Sequence, residues 1–122
     1  MKPPHSITPL IFSTKLTQIF GKGPVYLKLD NLQPSGSFKL RGIGRTCEQA
    51  KNSGATKVLM ASGGNAGKAL AIAAKQLGLK TVLFIPKATP QMMVEKVKVA
   101  FVTPCTYFLL FYIRFCNFGK WQ

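Results

Sequence analysis

A chain of 122 residues with 47% hydrophobic content can bury one modest core and no more. Its formal charge of +14 sets 17 Lys and Arg against Asp30, Glu48 and Glu95 alone, a balance that ordinarily points to a polyanion partner. The basic residues are scattered from Lys2 to Lys120 without a run and without a recognised nucleic-acid motif, so no nucleic acid is expected to bind.

The opening Met1-Lys2-Pro3-Pro4-His5 leads into no uninterrupted apolar region and does not read as a signal peptide. His5 is the only histidine and lies in the Pro-rich opening segment, which leaves no His for a metal cluster or a Ser-His dyad. Cys47, Cys105 and Cys116 share no paired spacing. That argues against a disulfide framework and for a reducing compartment, the cytoplasm.

Val25-Tyr26-Leu27-Lys28-Leu29 alternates apolar and long polar side chains and predicts a half-buried strand, ended by Asp30-Asn31. Leu32-Gln33-Pro34-Ser35-Gly36-Ser37-Phe38-Lys39-Leu40-Arg41-Gly42 then forms a loop of turn residues that delivers Lys39 onto the first turn of a helix. Ser35 or Ser37 is positioned to cap that helix. A cation there faces the positive end of the helix dipole, an unusual place for a lysine with no chemistry to perform. The helix runs to about Asn52 and stops at Gly54. Gly42 and Gly44 inside it each cost about 1 kcal/mol relative to Ala, so a close approach of another backbone or a ligand is expected there.

Val58 to Ala61, a helix from Ala66 to Leu77 capped by Gly78, and Thr81 to Ile85 predict a βαβ unit whose short apolar strands are parallel and buried. Ala66, Leu70, Ala73, Ala74 and Leu77 recur at helical spacing, and Ala69 and Ile72 widen that face. Between first strand and helix stands Ser62-Gly63-Gly64-Asn65-Ala66-Gly67, whose small residues leave backbone N–H groups open to an anion at the carboxyl end of a parallel strand. The same residues would also serve as a tight turn with no ligand. Thr89-Pro90 reads as N-cap and first residue of a further helix to about Lys98.

From Val99 the character changes. Cys105 to Ile113 is apolar but bracketed by Pro104 and Arg114, and it falls short of the ~20 residues that span a bilayer. No membrane partner is expected, and the segment reads as a strand or an apolar flap. The chain thus divides into residues 1–98 and a tail, 99–122.

The two loops, with Thr8-Pro9-Leu10, Leu27-Lys28, Arg41-Gly42-Ile43-Gly44, Leu77-Gly78-Leu79 and Ile85-Pro86, resemble the pyridoxal-phosphate enzymes of the tryptophan-synthase-β-like fold, and within them the L-serine/L-threonine dehydratases. Biosynthetic threonine dehydratases carry a histidine after the loop asparagine, where this chain has Ala66. Cysteine synthases have Val-Lys-Asp-Arg, where this chain has Phe38-Lys39-Leu40-Arg41. Both departures favour the serine dehydratase branch.

The resemblance implies a partial, truncated α/β fold of that type with a parallel βαβ unit. It implies pyridoxal 5'-phosphate as cofactor, and α,β-elimination of L-serine or L-threonine to pyruvate or 2-oxobutanoate and ammonia. Lys39 is then the catalytic lysine that carries the cofactor. Phe38 lies beside the cofactor ring, Asn65 bonds its hydroxyl, and Ser62, Gly63, Asn65 and Ala66 hold the substrate carboxylate. Family members are homodimers. Their glycine-rich phosphate loop and the residue facing the pyridine nitrogen have no counterpart in residues 99–122, so these 122 residues are expected to be inactive alone, with one sheet edge exposed where the family's next strand would lie. A non-catalytic fragment that binds full-length dehydratase subunits, and a basic membrane-surface protein, remain as alternatives.

Overall fold

The computed structural model describes residues 2–101 and 108–113. Near the start, β1 (Leu10–Phe12) and β2 (Tyr26–Lys28) pair antiparallel, Leu10 opposite Lys28 and Phe12 opposite Tyr26, around α1 (Thr14–Phe20). The Ser13 hydroxyl caps α1 by accepting the Leu16 N–H at 3.3 Å. Helix α1 buries none of its residues, and every residue of β1 and β2 is exposed. This corrects the expectation of a half-buried strand at 25–29. Alternation supplies an apolar face, and burial needs a second layer over it, which this two-stranded ribbon lacks among the described residues.

A 3-10 turn at Asp30–Leu32 leads to the lysine loop and to α2 (Lys39–Asn52), which ends where the sequence placed its stop. Next come β3 (Lys57–Ala61), α3 (Asn65–Leu77) and β4 (Lys80–Pro86), a parallel βαβ unit with Val58 opposite Thr81 and Met60 opposite Leu83. The predicted face of α3 is real. Ala69, Leu70, Ala71, Ala73, Ala74 and Leu77 are buried, joined in one core by Leu40 and Cys47 of α2 and by Leu83 and Ile85 of β4. Each large aliphatic side chain so buried contributes about 1.5–3 kcal/mol. The Lys51 ammonium of α2 donates to the carbonyl of Leu77, placing a cation at the negative end of α3.

The strands are less buried than their sequences suggest. Strand β4 buries only alternate residues, Thr81, Leu83 and Ile85, while β3 buries none fully and leaves Leu59 68% exposed. Helix α3 covers one face of the sheet, the face carrying Met60 and Leu83, and the alternate residues lie on the other.

Helix α4 (Gln91–Phe101) packs on α3. Its first turn closes on the Pro90 carbonyl, which accepts from Val94 N–H at 3.2 Å. Pro90 is therefore the cap, one residue later than read from Thr89-Pro90, and the helix continues past Lys98. Beyond it, β5 (Phe108–Ile113) pairs parallel with β4, Thr81 opposite Phe108 and Pro86 opposite Ile113, in the order β3-β4-β5. The edge of β4 expected to stand exposed is thus paired, because the backbone of any extended segment can complete a ladder. Cys105, Cys116 and the residues after Ile113 lie outside the described residues.

Candidate active site

Each end of the lysine loop is tied down. Gln33, 3% exposed, donates through Nε2 to the Ser6 carbonyl at 2.8 Å and accepts the Ser6 N–H at Oε1 at 2.9 Å. The chain reverses at Gly36, whose φ of 72° favours glycine and whose N–H donates to the Gln33 carbonyl at 2.6 Å. Neither loop serine caps α2. The Ser35 hydroxyl donates to the Ser37 carbonyl at 3.1 Å, and Phe38, in helical conformation, occupies the cap position without a side-chain bond. Ser37 Oγ is buried with no partner among the described residues. Lys39 is the first residue of α2, exposed, its ammonium 5.0 Å from the centroid of the Phe38 ring.

Under this loop lies a polar cluster that sequence reading missed. Arg41 grips Asp30 with both arms, Nε to Oδ2 at 2.7 Å and Nη2 to Oδ1 at 2.9 Å, and Nη2 also reaches Thr8 Oγ1 at 3.2 Å. The Thr8 hydroxyl donates to Asp30 Oδ1 at 2.6 Å, Gln33 Nε2 adds a bond at 3.2 Å, and Lys28 Nζ holds the Thr8 carbonyl at 2.7 Å. The hydrogen bonds from Arg41 and then Thr8 hold the Asp30 carboxyl well below the usual carboxylate range, against a smaller push upward from burial. The Asp30 carboxylate in turn pushes the Arg41 guanidinium above its usual value.

The second loop is held from β4. Ser62 N–H donates to the Phe84 carbonyl at 2.9 Å, and Ser62 Oγ accepts the N–H groups of Gly64 and Gly67 at 3.3 and 3.2 Å. Ser62 therefore uses two of the donors at the start of α3. The N–H groups of Asn65 and Ala66 have no acceptor among the described residues, as a helix start open to an anion should. Glycine is required here by close packing. A Cβ on Gly67 would lie 2.6 Å from the Ser62 carbonyl oxygen, and one on Gly63 would lie 2.5 Å from Thr89 Oγ1. Of the two glycines in α2, Gly44 is packed against Pro4, with a Cβ position 3.2 Å from it, while Gly42 has nothing within 4 Å. The close approach expected at Gly42 is absent from the described residues.

The two loops meet in a pocket of about 160 Å³ whose walls include Ser35 and Gly36, Gly64 and Asn65, and Lys68 and Lys96. Asn65 is the one predicted site residue that lines it. Phe38, Lys39, Ser62, Gly63 and Ala66 do not. Lys68 and Lys96 were not read from the sequence as site residues. Lys68 stands one helical turn beyond Asn65, a spacing that could have signalled it. The thiol of Cys47 is no rival nucleophile, since burial, with Glu48 nearby, pushes it up to about 11.

A primary amine at the end of one loop and a carboxamide with two open N–H groups at the start of α3 form the donor set that an aldehyde cofactor and a carboxylate substrate require. The residues present fit the lysine and carboxylate sides of a pyridoxal phosphate site.

The sequence pattern of the family described as pyridoxal-phosphate dependent enzymes matches residues 1–100. The chain belongs to that family. Its relatives include the human proteins "Serine dehydratase-like" and "L-serine dehydratase/L-threonine deaminase", each 43% identical over 97 residues, or 80% of this chain. Among solved structures, the L-serine ammonia-lyase of the fungus Rhizomucor miehei superposes with a TM-score of 0.69 at 31% identity over 90% of the chain. The chain spans 29% of the length of those human relatives and 34% of that ammonia-lyase. The α/β fold with a parallel βαβ unit expected from the sequence is thus the fold observed, and the ammonia-lyase shares it. No helix among the described residues is long and apolar enough to cross a membrane.

Proposed function

We propose that these residues form the lysine-bearing part of a cytoplasmic, pyridoxal-phosphate-dependent L-serine/L-threonine ammonia-lyase, active once the further length its relatives possess completes the site. The observation that carries this reading is the meeting of the two loops, with Lys39 on α2 and the open N–H groups of α3. When bound, pyridoxal phosphate would supply the electron sink for the charge left on the substrate α-carbon.

The protein's own residues supply the rest. Lys39 Nζ would hold the cofactor and, as a free amine, would take the α-proton of the substrate. The Asn65 carboxamide and the Phe38 ring would help to hold and orient the cofactor. The substrate carboxylate sits on the N–H groups of Asn65 and Ala66 above Ser62 and Gly63, where the helix dipole favours an anion. Ser62 Oγ accepts two N–H groups and so keeps its own proton free to donate to that carboxylate. The overall elimination would convert L-serine to pyruvate and ammonia, or L-threonine to 2-oxobutanoate and ammonia.

The test has two parts. Pyridoxal 5'-phosphate reduced onto the purified chain with borohydride should map to Lys39. A chimera with residues 1–98 in place of the matching segment of the human serine dehydratase-like protein should release pyruvate from L-serine. Lys39→Ala should abolish that turnover, and Asn65→Ala should lower it ten-fold or more, about 1.4 kcal/mol. Label on another lysine, or full turnover in Lys39→Ala, would sink the assignment.

A second reading, a non-catalytic chain that docks on dehydratase subunits, is favoured by one observation. Among the described residues, Ile7, Leu10, Phe12, Ile19, Phe20 and Leu32 are all exposed by half or more, and exposed apolar residues grouped on a surface mark interaction sites. Co-purification with the human relative would support it, and a 122-residue chain that stays separate from that relative would rule it out.

A further inference from the structure

We propose that the cluster of Asp30, Arg41 and Thr8 is the positioning device of Lys39, a proposal that rests on reading Lys39 as the cofactor lysine. Lys39 is exposed, and its ammonium stands 5.0 Å from the centroid of the neighbouring Phe38 ring. The place of its amine is therefore set by the backbone of the loop that precedes it and by the first turn of α2. Asp30 stands before that loop and Arg41 two residues after the lysine, so their two-armed bond, at 2.7 and 2.9 Å, closes the base of the loop.

Thr8, 5% exposed, locks both partners from a third strand of chain, and Gln33 joins the same carboxylate oxygen to Ser6. Three donors converge on Asp30 Oδ1 and one on Oδ2, which leaves the carboxylate little freedom to turn. Arginine is required because its planar fork meets both oxygens at once, and a lysine in its place offers one point charge. The cluster is a positioning device and not a catalytic one, since its carboxylate and guanidinium are engaged with one another and with Thr8 and Gln33. With the Arg41 side chain 34% exposed, the pair adds little to global stability, so its consequence is local.

The experiment uses the 122-residue chain, amide hydrogen exchange, and borohydride trapping of pyridoxal 5'-phosphate with peptide mapping. Arg41→Lys and Asp30→Asn should speed exchange at the Gly36, Leu40 and Arg41 amides about ten-fold while α3 and β4 keep their rates. They should also cut the share of label on Lys39, relative to Lys15 and Lys57, by a similar factor. Arg45→Lys, which alters an exposed pair with Glu48, should change neither.

Unchanged exchange in the loop overturns the proposal, and so does a loosened loop whose Lys39 label share is intact. If the wild-type label is spread evenly over the lysines, the assignment of Lys39 falls and the positioning role with it, even where the loop loosens. Should Arg41→Lys and Asp30→Asn lose the exchange protection of α3, Thr8→Val, which keeps shape and removes the hydroxyl bonds, carries the test. A rise of about three-fold in loop exchange with a matching loss of Lys39 label supports the proposal, and no change overturns it.

Discussion

The ribbon of β1, α1 and β2 and the βαβ unit of β3, α3 and β4 are both rich in apolar residues, and the two differ in what covers them. In the ribbon, Leu10, Phe12 and Tyr26 are exposed by half or more, and α1 buries nothing. In the βαβ unit, Ala69, Ala73, Leu83 and Ile85 are wholly buried. Apolar composition supplies the driving force for burial, and a facing layer decides whether it is realised. Helix α3, held between α2 and α4 and laid on β4, is that layer for one face of one sheet.

The largest effect that could break this contrast comes from truncating an apolar side chain in each region. Leu83→Ala should cost about 2–5 kcal/mol, read from urea unfolding followed by circular dichroism. Phe12→Ala should stay within about 0.5 kcal/mol. Similar losses at both positions would mean that the ribbon is covered in solution.

Next in size is the pair of glycine substitutions. Gly67→Ala forces a methyl to within 2.6 Å of the Ser62 carbonyl and should cost about 1–3 kcal/mol. Gly42→Ala has open space around it and should stabilise α2 by up to about 1 kcal/mol. The same unfolding midpoints report both, and a stabilising Gly67→Ala would show that the start of α3 is looser than described. Smaller again, Lys51→Ala removes the cation at the end of α3 and should lower stability by about 0.3–1 kcal/mol. Raised salt should shrink that difference.

The smallest effect near neutrality is on pH dependence. Asp30 has a folded-state carboxyl held below its unfolded value, so the unfolded chain binds the extra proton. The stabilisation from this group is complete above the unfolded carboxylate range and fades as pH falls from about 5 toward the folded value. Urea midpoints should therefore hardly move above about pH 5 and decline below it. Asp30→Asn should flatten that decline, and an equal decline in the variant would remove Asp30 from the account.

Local chemistry made much of the site legible. A turn rich in Pro, Gly and Ser delivers Lys39 to the start of α2, and the run from Ser62 to Gly67 places a helix start above the end of β3. Both follow from backbone preferences that act within a few residues. The Asp30–Arg41–Thr8 cluster was not legible, because Thr8 lies 22 residues from Asp30 and 33 from Arg41, and no periodicity joins such positions. The serine caps were misplaced for a related reason. Ser35 and Ser37 could each cap a helix in isolation, and the packing of the loop turned one hydroxyl to a carbonyl and left the other without a partner among the described residues.

The sequence by itself determined the βαβ unit, the apolar face of α3, the extent of α2 and the two loops, since each depends on spacing and on residues near in the chain. Tertiary structure alone decided three further things: that β2 and Leu59 stay exposed, that β5 closes the edge of β4, and that Ser62 consumes two of the donors at the start of α3. Burial and strand pairing depend on which surfaces meet, and those surfaces come from segments far apart in the chain. The apolar run from Phe108 to Ile113 carried the capacity to be a strand, and the free edge of β4 gave it a place to be one.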